Sequence, residues 1–558
     1  MYIDRMTFKA GSSTGEPPLT ITPKRVTVFV GPNNGGKSAS LREIYGSIST
    51  GLDQNVIFSE ISHSIPELSD IEGLISPFVF RDMPVTNAGH VLFGYRGSRQ
   101  EVNLDYLRSR FSRGPNGRPS DYVYALVLKH FVLNLGGENR LGMVHGGGAQ
   151  SLREEPQSTI ATIFKDNELR RRISDIVNEA FGQHLVVDPT VMGTFSYVFT
   201  DEYPPDEISQ SFNESSLDFF ARCSPVASAS DGTKAFIGIM TEVMAGRHDI
   251  LTMDEPEAFL HPALAYLLGR EITRNLSDDK QMFVSTHSPH FLMGCISAGL
   301  PVDIVRLTYK STKATARLLP SEEVKKMMYD PLLKSIGVMG ALFFESAVVV
   351  EADSDRAFYD EINSRLTLYG TGGVKHASFL NAHNKQEGAH IARVLRNVGI
   401  PAAMILDIDW IKEDGKVANR YFAAAGVPAG LRPGLLETRR RVRASLVAVD
   451  ENYKATGGVS LLHGDDLATA NIFFDQMATY GLFTVRNGEL EHWLPHLGIK
   501  VRKELWLGAM FERLGSDPSD ENFVRPSGDD VWRQLRLVDI WIRDSERTGM
   551  TYVDPAEL

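Results

Sequence analysis

The chain has little cysteine and no long apolar run. Only two of its 558 residues, Cys223 and Cys295, are cysteines, so no disulfide framework is expected. No apolar stretch approaches the roughly 20 residues that cross a bilayer as a helix. The first residues also lack the basic-then-apolar pattern of a signal peptide. We therefore expect a cytoplasmic protein that has no membrane partner.

Repeats and a generally basic composition are also missing. No heptad repeat or low-complexity tract occurs, which argues against a long coiled-coil arm. The formal net charge is −12, so contact with nucleic acid would depend on local basic clusters. Three arginine clusters are candidates, although each is more typical of a solvated helix face. They are Arg108, Arg110, Arg113 and Arg118; Arg170, Arg171 and Arg172; and Arg439, Arg440, Arg441 and Arg443.

A glycine-rich motif follows the first strongly apolar segment. Residues 25–30 are typical of a buried strand, residues 41–45 of a helix, and residues 31–38 between them fit G-x-x-x-x-G-K-S. Backbone N–H groups of such a loop cradle phosphate, the lysine reaches the β- and γ-phosphates, and the serine holds Mg²⁺. The predicted ATP-binding residues are Gly31, Asn33, Asn34, Gly35, Gly36, Lys37 and Ser38, with Ser38 also a metal ligand.

Three later segments supply what ATP hydrolysis needs. An apolar strand ends in Asp254 and Glu255, which we predict to hold Mg²⁺ and to polarise the attacking water, respectively. Another strand leads to His287, a candidate γ-phosphate sensor. Ser230 and Gly232 begin a predicted helix and would offer a hydroxyl and backbone amides to phosphate.

The order of these motifs resembles that of the non-transporter ABC-type ATPases. Residues 254–262 (DEPEAFLHP) are similar to the form found in DNA-repair and phage-defence ATPases. The resemblance implies a head-to-head homodimer in which ATP lies between the Lys37 loop of one subunit and Ser230 of the partner subunit. Asp231 departs from the usual signature. Gln100 is the candidate for a glutamine loop, and residues about 50–225 read as an insertion.

A second acidic group follows two further predicted strands. Residues 347–350 lead to Glu351 and Asp355, and residues 402–406 lead to Asp407 and Asp409. Ligands of α/β sheets bind at such strand ends, and Mg²⁺ would offset the repulsion among these carboxylates. We predict all four as metal ligands, with Glu351, Asp407 and Asp409 also catalytic. Asp353 is instead predicted to cap a helix.

Glu351-Ala352-Asp353-Ser354-Asp355-Arg356 with Asp407-Ile408-Asp409 resembles the TOPRIM fold, and its fusion to an ABC-type ATPase resembles the OLD-family nucleases. Alanine replaces the usual glycine at Ala352. The resemblance implies an α/β protein with an ATPase domain at 1–330, a TOPRIM-like domain at 345–500 and a helical C-terminal segment at 501–558. It also suggests Glu489 or Glu491 as a late metal ligand. Weaker phosphate-contact candidates are Lys500, Lys503, His383 and Lys385.

These features predict an ATP-hydrolysing, metal-dependent nuclease of bacterial anti-phage defence, using ATP with Mg²⁺ or Mn²⁺. The implied partners are DNA or RNA, further copies of the chain and a phage-derived trigger. One alternative is an ATPase sensor whose TOPRIM-like module is degenerate. A transporter-coupled ATPase is disfavoured, because the second acidic group would have no role.

Overall fold

The computed structural model describes most of the chain, as two compact units, Met1–Leu318 and Leu319–Leu558. The boundary lies before the predicted end of the ATPase domain at residue 330. The described residues are 1–13, 15–51, 55–64, 73, 75–80, 84–94, 100–111, 120–137, 139–148, 153, 155–310, 312–383, 385–413, 415–501 and 504–550. Within this part of the chain, no helix is both long and apolar enough to span a membrane.

The first unit is built around a six-stranded sheet. The strands of the whole first unit, in chain order, are β1 (Tyr2–Phe8), β2 (Thr20–Ile21), β3 (Val26–Val30), β4 (Phe58–Ser64), β5 (Val79–Phe80), β6 (His90–Phe93), β7 (Gln100–Asn103), β8 (Val132–Leu135), β9 (Gly147–Gly148), β10 (His184–Asp188), β11 (Thr194–Thr200), β12 (Ser224–Pro225), β13 (Ile250–Asp254), β14 (Gln281–Ser285), β15 (Val302–Lys310) and β16 (Lys313–Leu318). The large sheet has the order β16-β15-β3-β14-β13-β8, and all its strands except β16 are parallel. Strands β3 and β14 are buried along their whole length, as expected for parallel strands covered on both faces.

Smaller antiparallel sheets accompany this one: β2-β1-β4, β5-β6-β7, and β10-β11-β12 with β9 paired to β11. The predicted insertion at about 50–225 contains most of these strands. It also contains β8, which pairs with β13 as an edge strand of the large sheet. Residues 50–225 are therefore not an insertion separate from the ATPase core, because β8 forms one edge of the central sheet.

The helices of the first unit pack against these sheets. They are α1 (Lys37–Ser49), α2 (Leu104–Phe111), α3 (Asp121–Leu126), α4 (Asn139–Gly142), α5 (Thr159–Lys165), α6 (Asn167–Phe181), α7 (Asp206–Ser209), α8 (Glu214–Phe220), α9 (Asp231–Ala245), α10 (Pro262–Arg274) and α11 (Pro289–Ser297). Helices α10 and α11 approach closely through glycines. A Cβ at Gly269 would lie 2.3 Å from the Phe291 carbonyl oxygen, and one at Gly294 would lie 2.2 Å from that of Tyr266.

The second unit contains a four-stranded parallel sheet. Its strands are β17 (Ser346–Val350), β18 (Ala377–Asn381), β19 (Ala402–Asp407) and β20 (Leu482–Val485), in the order β18-β17-β19-β20. Its helices are α12 (Ser321–Tyr329), α13 (Pro331–Ile336), α14 (Asp353–Leu368), α15 (Lys385–Asn397), α16 (Gly415–Ala424), α17 (Arg432–Val449), α18 (Tyr453–Thr456), α19 (Gly464–Thr479), α20 (Glu504–Leu514) and α21 (Asp530–Arg543). Strands β17 and β19 are neighbours, so the acidic residues at their ends meet.

The C-terminal helices belong to the core of the second unit. Trp506 and Met510 of α20 and Trp532 of α21 share a buried cluster with Val348 of β17. Arg365 of α14 donates to the carbonyl oxygens of Leu514 and Val524, at 2.8 Å each. The segment predicted as a helical tail at 501–558 thus packs into the preceding domain as far as it is described, because its apolar faces complete that domain's core.

Candidate functional site

The glycine-rich loop connects β3 to α1, as the sequence predicts. Gly31, Asn34 and Gly36 have φ values of 136°, 60° and 100°. A Cβ at Gly31 would lie 2.0 Å from the Leu307 carbonyl oxygen, so no larger residue fits there. Asn33 and Asn34 are exposed on the loop, whereas Gly35 is buried. Backbone N–H groups of such a turn, and of the helix N-terminus that follows it, are suited to binding an anion.

The side chain of Lys37 lies inside this turn. Its Nζ donates to the carbonyl oxygens of Gly31 and Pro32, at 2.8 Å each, and the side chain is buried. Burial lowers the pKa of Lys37 to about 8, although the Glu255 and Asp254 carboxylates oppose this shift. A bound phosphate would offer the ammonium charged acceptors in place of the two carbonyl groups.

The residues predicted for metal binding and hydrolysis surround the same loop. The Ser38 hydroxyl donates to Asp254 Oδ1 at 2.9 Å, and the Ser285 hydroxyl donates to the same oxygen. Glu255 has a φ of 50°, and its Oε1 lies 3.5 Å from His287 Nε2. Burial and the Lys37 ammonium lower the pKa of His287, which favours the neutral ring.

The signature segment begins α9. The Ser230 hydroxyl caps this helix by accepting from the Thr233 N–H at 3.3 Å. Gly232 packs against the loop after Glu255, because a Cβ there would lie 2.5 Å from the Phe259 carbonyl oxygen. Gln100, the glutamine-loop candidate, is the first residue of β7 in the β5-β6-β7 sheet. It is therefore not part of the sheet edge that carries the phosphate loop.

Three acidic side chains converge at the carboxyl edge of the second unit's sheet. Glu351 follows β17, Asp407 ends β19, and Asp409 lies in the 3₁₀ helix Ile408–Lys412. One carboxylate oxygen from each can be chosen so that all three lie within 4.8 Å of one another. The Asp407 N–H donates to Glu351 Oε1 at 3.1 Å. We call these three residues the acidic centre. Three converging carboxylates suit a hard divalent cation such as Mg²⁺.

Asp355, also a predicted ligand, is not one of these three residues. Its carboxylate accepts from the Ala352 N–H at 3.1 Å and so closes the first turn of α14. Burial and the neighbouring Asp407 raise the pKa of Asp355 to about 7. The prediction that Asp353 caps this helix is wrong. Ala352 is the N-cap residue, and Asp353 pairs with Arg356 at 3.3 Å.

A lysine that the sequence did not reveal enters the acidic centre. Lys454 Nζ lies 2.9 Å from Asp407 Oδ2, 3.2 Å from Asp409 Oδ2 and 3.7 Å from Glu489 Oε2. Although burial opposes the shift, the Asp407 and Asp409 carboxylates raise the pKa of Lys454 above its ordinary value. Glu489, one of the two late acidic candidates, is thus linked to the centre through Lys454.

The weaker candidates contribute less to this picture. Lys500 is exposed, whereas Lys503 and the side chain of Lys385 lie outside the described residues. The His383 N–H donates to Asn381 Oδ1 at 2.7 Å, which forms a local turn after β18.

In the third arginine cluster, Arg439 is buried and donates to the Ile411 carbonyl oxygen at 2.9 Å. This arginine therefore supports the Asp409 segment, and Arg440, Arg441 and Arg443 are exposed.

Residues 205–293 match the family model described as "AAA domain, putative AbiEii toxin, Type IV TA system". The first unit contains a P-loop ATPase domain. The matched residues include the signature segment, the Asp254-Glu255 pair and His287, and the phosphate loop lies before them. None of the curated proteins is significantly similar to the chain.

Several solved structures of SMC head domains are weakly similar to this chain. The SmcHead bound to the C-winged helix domain of ScpA is 14% identical, with 58% of this chain and 100% of that chain covered and a TM-score of 0.34. The SMC head domain from Thermotoga maritima is 15% identical, with 57% and 100% covered and a TM-score of 0.30. A Pyrococcus furiosus Smc head domain bound to the C-terminal domain of ScpA is 13% identical, with 59% and 99% covered and a TM-score of 0.33. Likenesses this weak support no conclusion about function.

Two further residues organise the P-loop ATPase site, and only one had a sequence signal. Glu257, within the acidic motif, accepts from Thr286 Oγ1 at 2.7 Å and from the His287 N–H at 2.9 Å. Arg140 of α4 is buried and donates to the Glu255 carbonyl oxygen, 115 residues away in the chain. Nothing in the local sequence of α4 indicates this contact, which arises because β8 and β13 are adjacent.

Proposed function

We propose that this chain is an ATP-binding and ATP-hydrolysing, metal-dependent nuclease of the TOPRIM type that acts in bacterial defence against phage. The observation that carries the nuclease part is the convergence of Glu351, Asp407 and Asp409 at the ends of two adjacent parallel strands. The wording of the matched family model, which names a toxin of a toxin–antitoxin system, agrees with a role in defence.

At the acidic centre, the chain supplies three carboxylates held in a fixed arrangement. The Asp407 N–H donates to one oxygen of the Glu351 carboxylate and so holds this side chain beside Asp407. Bound divalent cations would activate a water molecule and stabilise the leaving oxygen of a phosphodiester. Glu351, Asp407 and Asp409 would hold those cations, and Asp355, adjacent to Asp407, would supply a further oxygen.

At the phosphate loop, ATP would bind between two copies of the chain. Lys37 and the backbone N–H groups of residues 33–36 would hold the phosphates, Ser38 and Asp254 would hold the Mg²⁺, and Glu255 would position the attacking water. The exposed Ser230 would contact the nucleotide held by a second copy. Glu255→Gln should therefore accumulate an ATP-bound dimer, measured by light scattering. Ser230→Arg in the same background should prevent that dimer, and a monomer with ATP in the Glu255→Gln protein would contradict the arrangement.

The nuclease proposal is tested with the purified full chain. Plasmid, linear DNA and total RNA are each incubated with Mg²⁺ or Mn²⁺, with and without ATP. Asp407→Asn should abolish cleavage and leave ATP hydrolysis unchanged, because Asp407 lies in the second unit. Asp353→Asn is the matched control, since Asp353 is an exposed acid on the helix that follows Glu351. Equal cleavage by wild type and Asp407→Asn would refute the proposal.

A second candidate function is an ATPase switch whose second unit does no chemistry. The observation in its favour is Lys454, which already neutralises part of the acidic centre. In that case Mg²⁺ and Mn²⁺ would neither bind the second unit nor support cleavage of any nucleic acid. Metal binding that depends on Asp407 separates the two candidates even before a substrate is known.

A further inference from the structure

Lys454 brings a positive charge into a site suited to a metal ion. Its ammonium contacts two of the three carboxylates of the acidic centre and lies near Glu489. Its side chain is 25% exposed, compared with 16% for Asp407 and 15% for Asp409. Lys454 therefore differs from an ordinary surface lysine, because the carboxylates of Asp407 and Asp409 balance its charge.

The backbone fixes the position from which Lys454 reaches the acids. Lys454 lies in the one-turn helix α18, which packs against the turn that follows β20. A Cβ at Gly488 would lie 2.1 Å from the Lys454 carbonyl oxygen. The Val459 N–H donates to the Arg486 carbonyl oxygen at 2.8 Å. The segment that carries Lys454 and the turn that leads to Glu489 are therefore held together.

A divalent cation and the Lys454 ammonium compete for the same oxygens. Asp407 Oδ2 and Asp409 Oδ2 are both within hydrogen-bond distance of Nζ. Two positive charges around the same carboxylates repel each other. The lysine side chain is long and flexible, so its head can withdraw while its backbone stays in place. Glu489, at 3.7 Å, can retain it after withdrawal.

We propose that Lys454 is an internal counter-ion of the acidic centre, which a divalent cation must displace in order to bind. This inference rests on the proposed function, since it presumes that the centre takes a metal. Lys454 stabilises the metal-free fold and raises the metal concentration at which the centre fills. Removing its charge therefore tightens metal binding and weakens the metal-free protein.

The test is a calorimetric titration of Mn²⁺ into the nucleotide-free full chain. Lys454→Met, which keeps the side chain's length without its charge, should bind Mn²⁺ at least roughly tenfold more tightly than wild type. Lys454→Arg keeps the charge and should not gain affinity. Lys375→Met is the control, because Lys375 is exposed and precedes β18, at the opposite end of the strands from the acidic centre. Asp407→Asn identifies which part of the Mn²⁺ signal belongs to the centre.

The outcomes separate this inference from the proposed function. If Asp407→Asn removes a Mn²⁺ site but Lys454→Met binds no more tightly than wild type, the counter-ion role is refuted and the metal centre stands. If Asp407→Asn leaves Mn²⁺ binding unchanged, both are refuted. Thermal unfolding checks that each variant is folded. Should Lys454→Met not fold, Lys454→Gln, which can still donate to Asp407, is judged by the same tenfold criterion.

Discussion

Replacing Asp355 by asparagine should stabilise the second unit at alkaline pH and have little effect at acid pH. The Asp355 carboxyl is buried beside Asp407, and its pKa is about 7 rather than the ordinary 3.8. The folded chain therefore binds a proton more tightly than the unfolded chain does. Stability falls as the pH rises from about 4 to about 7, and the loss is complete above that range. Asparagine removes the ionisation and can still accept from the Ala352 N–H.

The size of the effect follows from the same values. A tenfold change in proton affinity is worth about 1.4 kcal/mol, so the pKa difference sets an upper limit of about 4 kcal/mol on the gain. For a unit of this size, that limit corresponds to a rise in Tm of about 10 °C. Coupling to Asp407 and local relaxation will reduce the gain, and we expect about half of this limit.

Scanning calorimetry of the full chain in EDTA, at pH 4 and at pH 8.5, measures the difference. EDTA is needed because a bound divalent cation would itself offset the repulsion. Asp353→Asn is the control, since Asp353 is exposed and its pairing with Arg356 lies at the surface. If Asp355→Asn changes the Tm by the same amount at both pH values, Asp355 is not held in the repulsive, buried position described above.

Three further predictions concern the first unit. Arg140→Met should lower kcat for ATP hydrolysis on the order of 100-fold with little change in KM, because Arg140 holds the Glu255 backbone. Arg171→Met is the control and should leave both constants unchanged, since Arg171 forms an ion pair at the exposed surface. Equal kcat values in the two variants would contradict the role of Arg140. Binding of a non-hydrolysable ATP analogue without Mg²⁺ should weaken between pH 7 and pH 9, since Lys37 has a pKa of about 8 and loses its charge in that range. Titration calorimetry at constant ionic strength measures the affinity at each pH, and equal affinities at pH 7 and pH 9 would refute the prediction. Gly269→Ala should destabilise the first unit by about 1–3 kcal/mol, because its Cβ would meet the backbone of α11, whereas Gly46→Ala in α1, where nothing lies nearby, should not; denaturant unfolding distinguishes them.

Much of the local framework could be predicted from the sequence. The strands that precede Lys37, Asp254, His287, Glu351 and Asp407 are short runs of buried apolar residues, and their ends carry the polar residues that meet in space. This prediction succeeds because parallel strands place their carboxyl ends at one edge of a sheet. Neither the order of the strands nor the membership of β8 in the central sheet could be derived in this way.

The contacts of Arg140 and Lys454, which the sequence did not indicate, were missed for the same reason. Arg140 and Lys454 act on residues far from them in the chain, and each lies on a helix of a single turn without any motif. Their importance arises from tertiary packing, through β8 beside β13 and α18 beside the turn after β20. Asp353 and Asp355 show a different limit, since either residue could serve the first turn of α14 and only the geometry decides between them.

The packing of α20 and α21 has a practical consequence for dissecting this molecule. A fragment ending near residue 500, where the resemblance would place the end of a nuclease domain, would leave Phe358 and Ile362 facing water and Arg365 without its backbone acceptors. Such a fragment would aggregate, so a lack of cleavage by it would not test whether the intact second unit is a nuclease. Truncation experiments should therefore divide the polypeptide between Leu318 and Leu319 and retain everything that follows.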